Sequence, residues 1–128
     1  MKTDLRADHR APAAARRFIA AALAALPRAE GPRGEDVMLV VSELVTNAVR
    51  AGATAVGVEL RATAHHVVLD VSDDAEGWPA TRHPAWDDPG GRGLAIVEDV
   101  ADEWHTTTLI SGKRVSASWL LTPAATVD

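Results

Sequence analysis

Two long runs of helical periodicity followed at once by two short alternating runs restrict what this chain can fold into more than any other feature. Residues 11–26 are mostly alanine, with Phe18, Ile19, Ala22, Leu23 and Leu26 at helical spacing, opened by Pro12 and stopped by Pro27. Residues 27–34 hold Pro27, Gly31, Pro32 and Gly34 and read as a loop. Over residues 35–51, Val37, Val41, Leu44 and Ala48 form one stripe, with Glu35 and Asp36 at the N-terminal end and Gly52 just past the close. The period then changes. Residues 55–62 and 66–72 are rich in valine and leucine and are separated only by Thr63, Ala64 and His65, which predicts an antiparallel strand pair.

Between residues 74 and 91 the pattern dissolves into Asp, Pro, Gly and two tryptophans, a length that marks a lid or binding loop. Leu94, Val97, Val100 and Ala101 predict a third helix over 93–103, and strands follow near 104–110 and 114–121, joined at Ser111-Gly112. Residues 122–128 read as a short tail. This order predicts an α+β, two-layer sandwich: one domain over 1–128, with helices on one face of a mixed or antiparallel sheet.

Composition narrows the chemistry. Eighteen Asp and Glu against 13 Lys and Arg give a formal net charge of −5, the wrong sign for gathering a phosphate backbone, so direct nucleic-acid binding is not expected. With no cysteine, any reaction must run on carboxylates, amides, histidines or a bound cofactor. No apolar run is long enough to span a bilayer or to act as a leader, and a cytoplasmic location without membrane contact is the expectation.

Three clusters are candidates for a site. On the second helix Glu43 and Asn47 lie four apart, on a face shared with Asp36, Val40 and Arg50. Such a face is ordinarily solvated, but Ser42, Glu43, Thr46 and Asn47 sit mid-helix between aliphatic residues, and a half-buried carboxylate beside an amide suits a hydrated cation. The second cluster, Asp73-Asp74-Ala75-Glu76-Gly77, follows a strand end, where a lone Asp is usually a turn residue. The third, Gly90-Gly91-Arg92-Gly93-Leu94, opens the third helix and reads equally as a hinge or as a phosphate cradle. Two other patterns fail. Ser111-Gly112-Lys113-Arg114 contains Gly-Lys, but position 107 is threonine where a P-loop has its first glycine, and no hydroxyl residue follows Lys113. His9, His65, His66, His83 and His105 show no paired metal-ligand spacing.

In order along the chain, Ser42-Glu43-Leu44-Val45-Thr46-Asn47-Ala48-Val49, Asp73-x-Ala75-x-Gly77 and Gly91-Arg92-Gly93-Leu94 resemble the N, G1 and G2 boxes of the GHKL ATPase superfamily, the Bergerat fold. The chain looks most like its small branch of anti-sigma-factor serine/threonine kinases, and residues 93–103 resemble that branch too. The resemblance implies ATP and Mg2+ as ligands. It implies that Asn47 holds the magnesium and Glu43 acts as general base on the attacking hydroxyl. Asp73 would accept from the adenine amino group and Gly77 would let the lid turn. Gly91, Arg92, Gly93 and Leu94 would cradle the phosphates, and Ser116 lies near the last-strand hydroxyl around adenine. Ala75 departs from the usual glycine or serine, residues 51–53 lack a histidine common in relatives, and Asp87-Asp88-Pro89 stands where active kinases place a base.

The function so implied is an ATP- and magnesium-binding regulatory protein that binds a sigma factor, phosphorylates a STAS-domain anti-sigma-factor antagonist, or does both. By the same analogy it forms a homodimer. The alternative is a non-catalytic nucleotide-binding module, in which ATP controls partner affinity without transfer. Trp78 and Trp86 are lid or partner contacts in either case, or a plug over the base. The catalytic half of a histidine kinase is a poorer match, because His9-Arg10-Ala11-Pro12 makes no convincing phosphoacceptor box.

Overall fold

The computed structural model describes residues 1–26, 32–75 and 92–121. The elements run β1 (Lys2–Arg6), α1 (Ala11–Ala24), α2 (Pro32–Arg50), β2 (Ala55–Ala62), β3 (His66–Asp73), α3 (Arg92–Val100), β4 (Glu103–Thr108) and β5 (Lys113–Leu120). The five strands form one sheet in the order β1-β2-β3-β5-β4, with every neighbouring pair antiparallel. Among the described residues, α2 packs between α1 and α3, and the helices cover one sheet face, which is the two-layer α+β arrangement that the order of periodicities predicts.

The strand alternation decides which residues meet the helices. Val56, Val58 and Leu60 of β2, Val67, Leu69 and Val71 of β3, and Val115, Ala117 and Trp119 of β5 are buried on one sheet face, with Val58, Val71 and Val115 and then Leu60, Leu69 and Ala117 opposite one another in register. Ile19, Val37, Val40, Val41, Val45 and Val97 close over them from α1, α2 and α3. Trp119 is fully buried, and its indole N–H donates to the Val100 carbonyl at 2.8 Å. That carbonyl belongs to the last turn of α3 and has no partner within the helix, so the tryptophan both fills the core and satisfies the helix end.

Several boundaries differ from the expected ones. Helix α1 stops at Ala24, because Ala25 and Leu26 donate to carbonyls three residues back rather than four, a tightened final turn. Helix α2 begins at Pro32, three residues before Glu35, since proline suits a helical first turn where its missing N–H costs nothing. Helix α3 ends at Val100 rather than 103. The Asp102 amide donates to Ser118 of β5 and the Asp102 carboxylate accepts from the Leu120 amide at 2.7 Å, so the sheet has already captured the chain there. Strand β1 is not predicted by periodicity. Its residues alternate Lys2, Asp4 and Arg6 outward with Thr3 and Leu5 inward, a charged edge whose single large apolar residue gives little periodic signal.

Candidate functional site

Helix α2 carries the first cluster, and its polar residues divide by partner. Thr46 donates to the Ser42 carbonyl at 2.7 Å, and the Ser42 hydroxyl accepts from the Arg16 guanidinium of α1 at 2.9 Å. Val40 is fully buried and Arg50 is exposed, so the stripe that contains Asp36, Val40, Glu43, Asn47 and Arg50 is part core and part surface. Glu43 and Asn47 are half-buried, and among the described residues neither side chain has a hydrogen-bond or ion-pair partner. A carboxylate and a carboxamide one turn apart, unpaired and partly withdrawn from water, form an oxygen-donor set of the kind that hard cations take.

Asp73 ends β3 on the helix-facing side of the sheet, opposite Val56 of β2 and Lys113 of β5. Its side chain is only 5% exposed. The Ala75 amide donates to Oδ1 at 3.0 Å, and the Lys113 ammonium, itself 10% exposed, sits 2.8 Å from Oδ2. Buried carboxylates persist only when paired and hydrogen-bonded, and Asp73 is both. Asp74 has a separate task. Its carboxylate accepts from the Thr54 hydroxyl, from the Thr54 amide at 2.7 Å and from the Ala55 amide at 3.2 Å, which ties the end of β3 to the start of β2. These donors, the Thr54 hydroxyl first, hold its carboxyl below the ordinary value of 3.8.

The turn into β5 is built around the same strand end. Gly112 has φ +94°, and a Cβ there would lie 1.8 Å from the Asp73 carbonyl oxygen. The Leu109 amide donates to the Gly112 carbonyl at 3.0 Å, closing the turn that delivers Lys113 to Asp73. Only residues 51–54 separate α2 from β2, and Thr54 is bonded to Asp74, so the C-terminal turns of α2 and the Asp73 end of β3 lie at one end of the fold.

Helix α3 starts at Arg92 and packs against α2, with Leu94 of its first turn half-buried. The first amides of a helix have no intrahelical acceptor and favour an anion. Gly77 and Gly91 lie outside the described residues, as do Trp78, Trp86, the segment 76–91 and the tail.

Ser116 requires a correction. It pairs in register with Asp70, not with Asp73, and its hydroxyl donates to the Asp70 carboxylate on the sheet face that points away from the helices. Strand periodicity puts residues three apart on opposite faces, so Ser116 does not share a site with Asp73. The residue of β5 that does is Lys113, which in the sequence stands only in a Gly-Lys pattern that lacks the rest of a P-loop. The register of β5 against β3, set by the turn at Gly112, is the signal that identifies it.

A groove of about 690 Å³ between α1 and α2 is lined by Arg16, Leu23, Glu35, Met38 and Leu39 among others. Glu43, Asn47 and Asp73 do not line it, so it is not the place where the three clusters converge. Among the described residues His9, His65 and His105 are exposed, and no group of His, Asp and Glu is arranged to hold a metal by itself. Among the described residues, no helix is long and apolar enough to cross a membrane.

No curated protein matches the chain. The model of the histidine kinase-like ATPase domain matches residues 5–119, from the first strand to the last, and so takes in α2, Asp73, the start of α3 and Lys113. An ATP-binding function follows from that membership at the level of the family, and the chain belongs to the histidine kinase-like ATPase domain family.

Proposed function

We propose that the protein binds ATP with magnesium at the end of the fold where α2, the Asp73 end of β3 and the start of α3 meet, and that it acts as a regulator of the anti-sigma-factor kinase kind. The observation that carries this reading is the pair Glu43 and Asn47. They are half-buried and, among the described residues, unpartnered, on a helix whose neighbouring polar residues, Ser42 and Thr46, are bonded within the protein. Asn47 and the phosphates would hold the magnesium, for which oxygen donors are fitting; when bound it would neutralise charge on the phosphoryl group. Asp73 would fix the base by accepting from its amino group, and the amides of the α3 N-terminus, with Arg92, Gly93 and Leu94, would orient the phosphates.

Glu43 would then take the proton of a serine or threonine hydroxyl on a STAS-domain antagonist as that oxygen attacks the terminal phosphorus, while the bond from that phosphorus to the β–γ bridging oxygen breaks and ADP leaves with its electron pair. Such a proton acceptor and correct alignment are most of what a protein contributes to phosphoryl transfer. The added charge on the antagonist would disrupt its interface. A sigma factor would be the second partner, and a homodimer of this chain the assembly. The non-catalytic module remains the second reading because Asp87-Asp88-Pro89 precedes the glycines where active relatives carry a cation.

The test incubates the protein with labelled ATP, magnesium and a STAS-domain antagonist from the same genome. Label on the antagonist with the wild type, and none with Glu43→Ala although that variant still binds ATP, supports the kinase. Absence of transfer together with ATP-dependent antagonist or sigma-factor binding, equal in both proteins, selects the module.

A further inference from the structure

The site holds a cation beside the carboxylate assigned to the base. Lys113 and Asp73 are cross-strand partners, both buried, 2.8 Å apart, and the glycine before Lys113 is locked against the Asp73 backbone, so the ammonium is delivered there by the fold rather than by a flexible excursion. A lone carboxylate can only accept. Paired with an ammonium, it forms a side-by-side acceptor and donor, buried together on the helix-facing side of the sheet.

A purine presents two adjacent groups on the edge that meets such a pair. In a 6-aminopurine these are an amino donor and the N1 acceptor, which match Asp73 and Lys113 respectively. In a 6-oxopurine they are an oxygen acceptor and the N1–H donor, which match Lys113 and Asp73. Against a carboxylate alone the 6-oxo oxygen would face negative charge, and the 6-oxopurine would be rejected. The pair offers partners to both edges, but in opposite order, so a 6-oxopurine fits it only with the base turned over, its oxygen on Lys113 and its N1–H on Asp73.

We infer that Lys113 is a specificity-determining residue that reads the purine edge together with Asp73 and admits 6-oxopurine as well as 6-aminopurine triphosphates. The inference rests on the reading of this end of the fold as the nucleotide site. Displacement of the ammonium by the incoming amino group is disfavoured, because breaking a buried pair strands both charges.

The test is calorimetric titration of the full chain, with magnesium, using ATP and inosine triphosphate, which differs at the 6-position without adding an amino group elsewhere. Wild type is expected to bind the two within about tenfold of each other, and Lys113→Met to lose inosine triphosphate by about tenfold or more relative to ATP, the worth of one charged hydrogen bond. Lys113→Arg, which keeps the charge, is expected to retain the oxopurine. A wild type that binds ATP but discriminates against inosine triphosphate by about a hundredfold or more overturns the inference and leaves the nucleotide site standing. So does a Lys113→Met protein that weakens or strengthens both nucleotides equally, the latter being the mark of a lysine that only plugs the pocket. A folded wild type that binds neither overturns the nucleotide site and the inference with it. The wild-type comparison decides the question even where Lys113→Met does not fold.

Discussion

Gly112 and Gly52 differ in one respect that can be turned into a measurement. Both have positive φ, +94° and +85°, so replacing either with alanine forces an L side chain into the left-handed region at a cost of about 1–2 kcal/mol. At Gly52 a Cβ would meet nothing within 4 Å. At Gly112 it would lie 1.8 Å from the Asp73 carbonyl oxygen and 2.7 Å from the carbonyl carbon and from Asp74 Cα, where ordinary contact begins at 3.4 Å. Backbone cannot rotate away as a side chain can. The turn must retreat, and it takes with it the Leu109–Gly112 hydrogen bond and the Lys113–Asp73 pair. Overpacking of this kind costs about 1–3 kcal/mol, and a broken buried pair adds more. Gly112→Ala is therefore expected to lose about 3–5 kcal/mol against about 1–2 kcal/mol for Gly52→Ala. Urea denaturation followed by circular dichroism reads both, with unchanged slopes required for the comparison. Gly112→Ala is also expected to lose ATP binding, while Gly52→Ala keeps it. Equal midpoints for the two variants would refute the claim that the β5 turn is locked on Asp73.

Three further outcomes are expected. Ser116→Ala strips Asp70 of a donor and is expected to cost about 1–2 kcal/mol in urea denaturation, yet to leave ATP affinity where it was; a matching loss of affinity would return Ser116 to the site. Trp119→Phe leaves the Val100 carbonyl without its donor and a gap in the core, an expected loss of about 1–3 kcal/mol, read from the same denaturation. Asp74 has a folded pKa below its unfolded one, so it contributes stability above the ordinary carboxylate range that is lost as pH falls through the folded value. Asp74→Asn is expected to flatten this part of the acid limb of stability against pH; an unchanged acid limb would contradict the role of the Thr54 bonds.

The elements with strong periodicity were legible from the sequence. Strand β2 has the expected bounds, and the stripe of α2 is buried at Val37, Val41, Leu44 and Ala48. What the sequence did not carry is pairing. Strand β1 owes its existence to the β2 edge rather than to its own composition, and Asp102 leaves the helical pattern because β5 supplies its partners. The same gap separates Ser116 from Lys113: both lie on one strand near the expected position, and only the β3–β5 register decides which faces the helices. Glu43 and Asn47 were visible as a helical pair, but their distinction from Ser42 and Thr46 depends on bonds that spacing does not reveal.

The central claim is that α2 and β3 together form a magnesium-dependent ATP site. It is tested most directly by calorimetric titration of ATP into the wild type with and without magnesium, repeated for Asn47→Ala and Asp73→Asn after circular dichroism shows each to be folded. The account predicts magnesium-dependent binding by the wild type that both substitutions weaken, Asn47→Ala chiefly by removing the response to magnesium. A folded wild type that binds no ATP, or binding indifferent to both substitutions, would contradict it.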